Sequence, residues 1–124
     1  MGYELRNRLG GYFDCGENTL VRLFKIAEEY GWEPLGTVVD DYLLPEDPAD
    51  EDRLRWYKKF KEEWDGHYFS NSYQVVTEED ALNWRQALER ALNDPSFLKS
   101  EDRPSTRTMR EFMDFLADGR FRIR

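Results

Sequence analysis

The chain predicts a mainly helical α+β fold: about four helices around an aromatic core, with a small two- or three-stranded β element drawn from the termini. Three observations carry this. Four segments repeat apolar residues at three- and four-residue intervals, the spacing of one helix face. Aromatic residues make up 15% of a chain whose mean hydropathy is -0.87, and each brings a large buried area to a core. Both ends alternate apolar with polar residues, which is the strand period. The 124 residues read as one domain, 1–124, long enough to bury a core without metal or disulfide support.

The first helix is expected from about Asn18, a good N-cap type, to Tyr30. Leu20, Leu23, Phe24, Ala27 and Tyr30 share one face, Gly31 suits a left-handed C-terminal position and Trp32 could fold back onto the last turn. Leu35–Val39 is a short extended piece, and Asp40–Asp50, with Pro45, Pro48 and five acidic residues, reads as an exposed loop. A second helix begins near Pro48, where a missing amide is harmless, and buries Leu54, Tyr57, Phe60 and Trp64. Trp56 and Tyr57 are neighbours and point about 100° apart, so one of them should be partly exposed. A strand is expected around Tyr73–Val76. Thr77–Asp80 then resembles a capping box with Asp in place of Glu or Gln, opening a third helix that buries Ala81, Trp84, Leu88, Ala91 and Leu92. Residues 96–105 read as a polar connection. The fourth helix starts at Ser105 or Thr106 and carries Met109, Phe112, Met113 and Leu116. Phe121 and Ile123 alternate with Arg120, Arg122 and Arg124, which would line the wet face of an end strand paired with Tyr3–Arg6.

Charge and composition exclude several classes. The formal net charge is -8, which repels a phosphate backbone and disfavours general nucleic-acid binding. The one cysteine, Cys15, placed in a loop, allows no internal disulfide and fits a reducing compartment. No apolar run resembles a signal peptide or a membrane span, so the expected address is the cytoplasm, with no membrane partner. From Glu33 to Asp52 there are eight acidic residues and no Lys or Arg. Their order lacks the alternating ligands and central Gly of a calcium loop, and one Cys with one His makes no zinc set. Neither the glycine-rich nucleotide loops nor the Gly-x-Ser-x-Gly hydrolase elbow occurs. No cofactor, metal or catalytic residue is therefore assigned.

Tyr30-Gly-Trp-Glu-Pro-Leu-Gly-Thr37, together with Tyr68-Phe-Ser-Asn71 and Gln74-Val-Val-Thr-Glu-Glu-Asp-Ala81, resembles a family of small bacterial proteins of no known activity. In that pattern a Gly is usual at the place of Tyr73 and an Asp at that of Ser72. The resemblance implies a single bacterial domain and supplies no catalytic residue.

Two functions compete. The first is a non-catalytic protein–protein interaction module, inhibitor- or immunity-like by analogy of size and charge. It would meet a basic partner through Asp40, Asp41, Asp47 and the exposed aromatic Trp56; mimicry of DNA by the acidic face is a special case. The second is a small enzyme or small-molecule binder built around His67, Tyr68, Ser70, Asn71 and Gln74, a polar run leading to a helix N-terminus. His67, the only histidine, could serve as a base for Cys15 or Ser70. Its bland alternative is a loop His donating to a backbone carbonyl.

Overall fold

A computed structural model describes residues 2–124. The chain is α+β, and its sheet is larger than the termini alone predict. Strands β1 (Gly2–Asn7), β2 (Tyr12–Gly16), β3 (Gln74–Val76) and β4 (Phe121–Ile123) form a four-stranded sheet in the order β2-β1-β4-β3. All neighbours are antiparallel. The two ends of the chain do pair, with Leu5 opposite Ile123. The added strand is β2. Gly10, with φ +83°, permits a tight reversal, and the Asn7 side chain accepts from the amides of Leu9 and Gly11 at 3.0 and 2.8 Å. Tyr12–Gly16 then runs back along β1 with Phe13 buried and Tyr12 and Asp14 exposed. Cys15 therefore lies on a strand, opposite Tyr3, and not in a loop.

Three helices cover the inner face of this sheet. Helix α1 (Glu17–Glu29) leaves β2 directly, so Gly16 occupies the N-cap without a side-chain bond and Asn18 is already inside the helix. Its end is a Schellman turn: Gly31 has φ +95°, and the Trp32 amide reaches the Ala27 carbonyl at 2.9 Å. Helix α3 (Glu78–Leu92) is capped by Thr77 and packs on both α1 and α5 (Thr106–Leu116), which is capped by Ser105. Between α3 and α5 a short helix, α4 (Pro95–Leu98), replaces part of the expected polar connection, because Asp94 caps it and Pro95 presets its first turn. Trp84 is fully buried at the centre, stacked on Trp32 at 4.4 Å and edge-on to Phe112 at 5.0 Å, with its indole N–H on the Leu23 carbonyl. Such rings bury much apolar area while their one polar atom is still satisfied.

The outer face of the sheet is not simply wet. Residues 38–45 cross it, with Val38 bridging Val75 and a 3₁₀ turn at Asp41–Leu43. Asp40, expected on an exposed loop, is 4% exposed and forms ion pairs with Arg122 and, at 3.7 Å, Arg120. The reason is electrostatic. Arginines projecting from β4 and the residue before it need counter-charge once a segment covers them, and Asp40 is the carboxylate that the crossing delivers. Helix α2 (Glu51–Glu63) lies beyond this segment, capped by Asp50 and beginning three residues after Pro48. Only Tyr57 of its expected stripe is buried; Leu54, Phe60 and Trp64 are half-buried, since the helix meets a single covering segment and not the main core. Among the described residues no helix is long and apolar enough to cross a membrane.

Candidate functional site

Helix α2 and the acidic loop before it belong to one excursion of the chain, closed at its base. Gly36 (φ +93°) and Gly66 (φ +81°) meet where it leaves and returns, and the Thr37 amide donates to the Gly66 carbonyl at 3.0 Å. A Cβ on Gly66 would stand 3.4 Å from the Gly36 Cα, an ordinary contact, so what the crossing needs from glycine is the positive φ at both positions. Trp64 seals it by donating to the Thr37 carbonyl at 3.1 Å, while the Thr37 hydroxyl donates to the His67 carbonyl at 2.5 Å.

The excursion presents aromatic rings among carboxylates. Trp56 is 49% exposed while Tyr57, its neighbour, is 4% exposed, as their angular separation on the helix requires. Trp56 lies parallel to Phe60 at 5.4 Å, and the Arg53 guanidinium sits 5.8 Å from its centroid. Tyr42 is 70% exposed. With Leu44, Pro45 and Arg53 it lines an open cleft of about 390 Å³, and the remaining wall is Glu46, Asp47 and Asp50. Asp47 and Asp50 each accept one backbone amide, from Ala49 at 2.9 Å and Arg53 at 3.1 Å. Those bonds fix the carboxylates while leaving them free to meet a cation.

The sequence-predicted acids thus separate. Asp47 stands in the cleft. Asp41 accepts from the Tyr57 hydroxyl at 3.2 Å, and burial together with that bond pushes the phenol pKa up. Asp40 is spent on the sheet arginines. Tyr42, Leu44 and Pro45 were missed as site residues, although a bulky aromatic inside an acidic, proline-containing run was the available signal.

The polar run after α2 splits in the same way. Tyr68 and Gln74 point inward. The Tyr68 hydroxyl donates to buried Asp80 and accepts from the Gly36 amide at 2.9 Å, while the Gln74 amide donates to the carbonyls of Tyr68 and Ser70 at 2.9 and 2.8 Å. His67, Ser70 and Asn71 face outward. Neither ring nitrogen of His67 meets a backbone carbonyl: Nδ1 contacts Asp65 and Nε2 lies 2.8 Å from the Ser70 hydroxyl. The His67 contact holds the Asp65 carboxyl below its ordinary pKa. Asp65, overlooked in the sequence, completes an Asp–His–Ser chain within six positions. Asn71 donates to the Gly2 carbonyl at 3.3 Å. Cys15 takes no part, and burial pushes its thiol up to about 11.

Comparison of the chain with protein-family models, curated proteins and solved structures finds no match. Among the described residues no three His, Cys, Asp or Glu side chains stand together as a metal site.

Proposed function

We propose that the protein is a non-catalytic interaction module that docks a basic segment of a partner protein against the Tyr42–Trp56 surface. The observation that carries this reading is a cleft lined by exposed Tyr42 and walled by Glu46, Asp47 and Asp50, whose Arg53 lies over the exposed Trp56 ring. Exposed Tyr and Trp supply rigid contact area at low entropic cost, and interface energy concentrates on a few such anchors. The carboxylates attract a Lys or Arg side chain and speed its approach, and the exposed ring edges supply apolar area for its stem, the ring faces already carrying Arg122 on Tyr42 and Arg53 on Trp56 at 5.2 and 5.8 Å. An inhibitor- or immunity-like role in a bacterial cell belongs to the same reading. The partner would then be a basic protein whose action is blocked when its charged segment is held.

The test is site-directed photo-crosslinking from positions 42 and 56. Both positions are expected to capture one basic protein, whose binding weakens about thirtyfold in Trp56→Ala and falls with salt in wild type. Capture that is equal from a distant position such as 82, or that is indifferent to Asp47→Asn with Asp50→Asn, defeats the reading.

A second reading is favoured by one observation, the Asp65–His67–Ser70 chain. A base hydrogen-bonded to a hydroxyl and oriented by a carboxylate is the arrangement that activates a serine for acyl transfer. Asp65 and His67 are largely open to water, whereas such chemistry gains most in a dry, preorganised site. Covalent labelling of Ser70 by a fluorophosphonate, lost in His67→Ala, would turn the choice towards catalysis.

A further inference from the structure

On the outer face of the sheet four arginines meet in a chain whose net charge is -8. Arg6 on β1 and Arg122 on β4 are direct cross-strand neighbours, a like-charge pairing that is unfavourable unless counter-charge is supplied. Arg8, in the turn after β1, and Arg120, just before β4, flank them. Together with Asn7, Val75 and Phe121 they line a cleft of about 190 Å³.

The protein's own acids compensate this cluster only in part. Arg6 pairs with Asp14 at 2.6 Å and with Glu4 at 3.7 Å, but Glu4 is shared with Arg124. Asp40 is shared between Arg120 and Arg122. Arg8 has no acidic partner among the described residues, and the buried Nε of Arg122 has no hydrogen-bond acceptor. The four guanidiniums that line the cleft therefore meet three carboxylates, one of them shared with Arg124 outside it.

We propose that this cleft is a binding site for a phosphoryl group, carried by a small phosphate monoester or by a phosphorylated side chain. Guanidinium forks approach from two strands and a turn, supplying more donors than a planar carboxylate can accept. Three tetrahedral oxygens match that spread, and arginine's fixed fork suits phosphate geometry. A phosphoryl group would supply the counter-charge that Arg8 lacks. At about 190 Å³ the cleft is smaller than the roughly 300 Å³ of pockets that enclose drug-sized ligands, which suits a head group with its stem left in solvent.

The experiment follows the arginine Nε–Hε signals by NMR at constant ionic strength. Titrants are inorganic phosphate, glycerol phosphate, a phosphoserine peptide, acetate and single-stranded RNA. Saturable one-site shifts at Arg6, Arg8, Arg120 and Arg122 are expected with the phosphate compounds and not with acetate. Arg8→Gln, in an exposed turn, should weaken binding about tenfold with its spectrum otherwise intact, and Arg120→Gln should act similarly. Tighter binding of the phosphopeptide assigns the group to a modified side chain, and tighter binding of glycerol phosphate to a metabolite; either supports the site. Shifts that do not saturate, equal shifts with acetate, no effect of both substitutions, or tighter binding of RNA than of any monoester would overturn it.

Discussion

Trp32 donates its indole N–H to Asp80 at 3.1 Å across 48 positions of sequence, and both residues are buried. The same carboxyl oxygen accepts the Leu35 amide at 3.1 Å, and the other meets the Tyr68 hydroxyl. Asp80 stands where a capping box would turn its third helical side chain back to the cap. Here Thr77 caps without that reciprocal bond, and Asp80 instead ties α3 to the Trp32–Leu35 turn and to Tyr68.

Asp80→Ala leaves three donors without an acceptor in the core. It should cost about 3–5 kcal/mol, and Asp80→Asn about 1–2 kcal/mol, because the amide keeps one acceptor and turns a donor towards a hydroxyl. Urea unfolding monitored by tryptophan fluorescence checks both. A loss below 1 kcal/mol for Ala contradicts the assignment.

Asp40 and Asp47, alike in sequence, should behave oppositely. Asp40→Asn removes a buried counter-charge from Arg122 and should lower stability by about 1–3 kcal/mol, discounted because that guanidinium is partly exposed. Asp47→Asn should change stability by no more than about 0.5 kcal/mol while weakening partner binding. Denaturation midpoints separate the two roles.

Tyr73 has φ +61°, a region costing an ordinary residue roughly 1–2 kcal/mol. Tyr73→Gly relieves that strain but frees the unfolded chain and loses a ring 6.0 Å from Arg122, so its net gain is small, about 0.5 kcal/mol. Tyr73→Val keeps the strain and adds β-branching, so it should fall about 2 kcal/mol below Gly. Equal melting temperatures for the two would refute the backbone argument.

Tyr30 donates to Asp94 at 2.5 Å. That bond holds the Asp94 carboxyl below its ordinary value of 3.8 and pushes the Tyr30 phenol up to about 12. The lowered acid contributes stability that is complete above its ordinary pKa and disappears as pH falls through the folded value. The raised phenol contributes stability that is complete below its ordinary value of 10 and is lost as pH climbs towards about 12. Tyr30→Phe should therefore melt below wild type at neutral pH, with the gap closing at strongly acidic pH. An alkaline absorbance titration of the variant should lack one late-ionising tyrosine.

Local signals made most of the fold legible. Helix faces such as Leu20, Leu23 and Ala27, or Met109, Phe112 and Leu116, stand at fixed intervals, and Gly31 and Ser105 mark ends by their own chemistry. The pairing of the termini was readable because both alternate. Strand β2 was hidden by Gly10-Gly11, which looks like a turn alone until Phe13 and Tyr12 are seen to alternate after it. The site was less legible because its divisions depend on distant partners. Nothing near Asp40 reveals that Arg122 will bury it, and nothing near Tyr68 reveals Asp80. By contrast, Asp65 lies two positions before His67, and that spacing was open to inspection.

The meeting of Gly36 with Gly66 gives the molecule a narrow waist. Between those two glycines Val38 and Asp40 stay with the sheet, through the Val75 bridge and the Arg122 ion pair, whereas residues 45–63 stand apart as a handle, and the aromatic centre is completed without them. Evolution or an engineer could lengthen, recharge or exchange that handle and leave the α1–α3–α5 body untouched, so specificity for partners and persistence of the fold are free to change at separate rates.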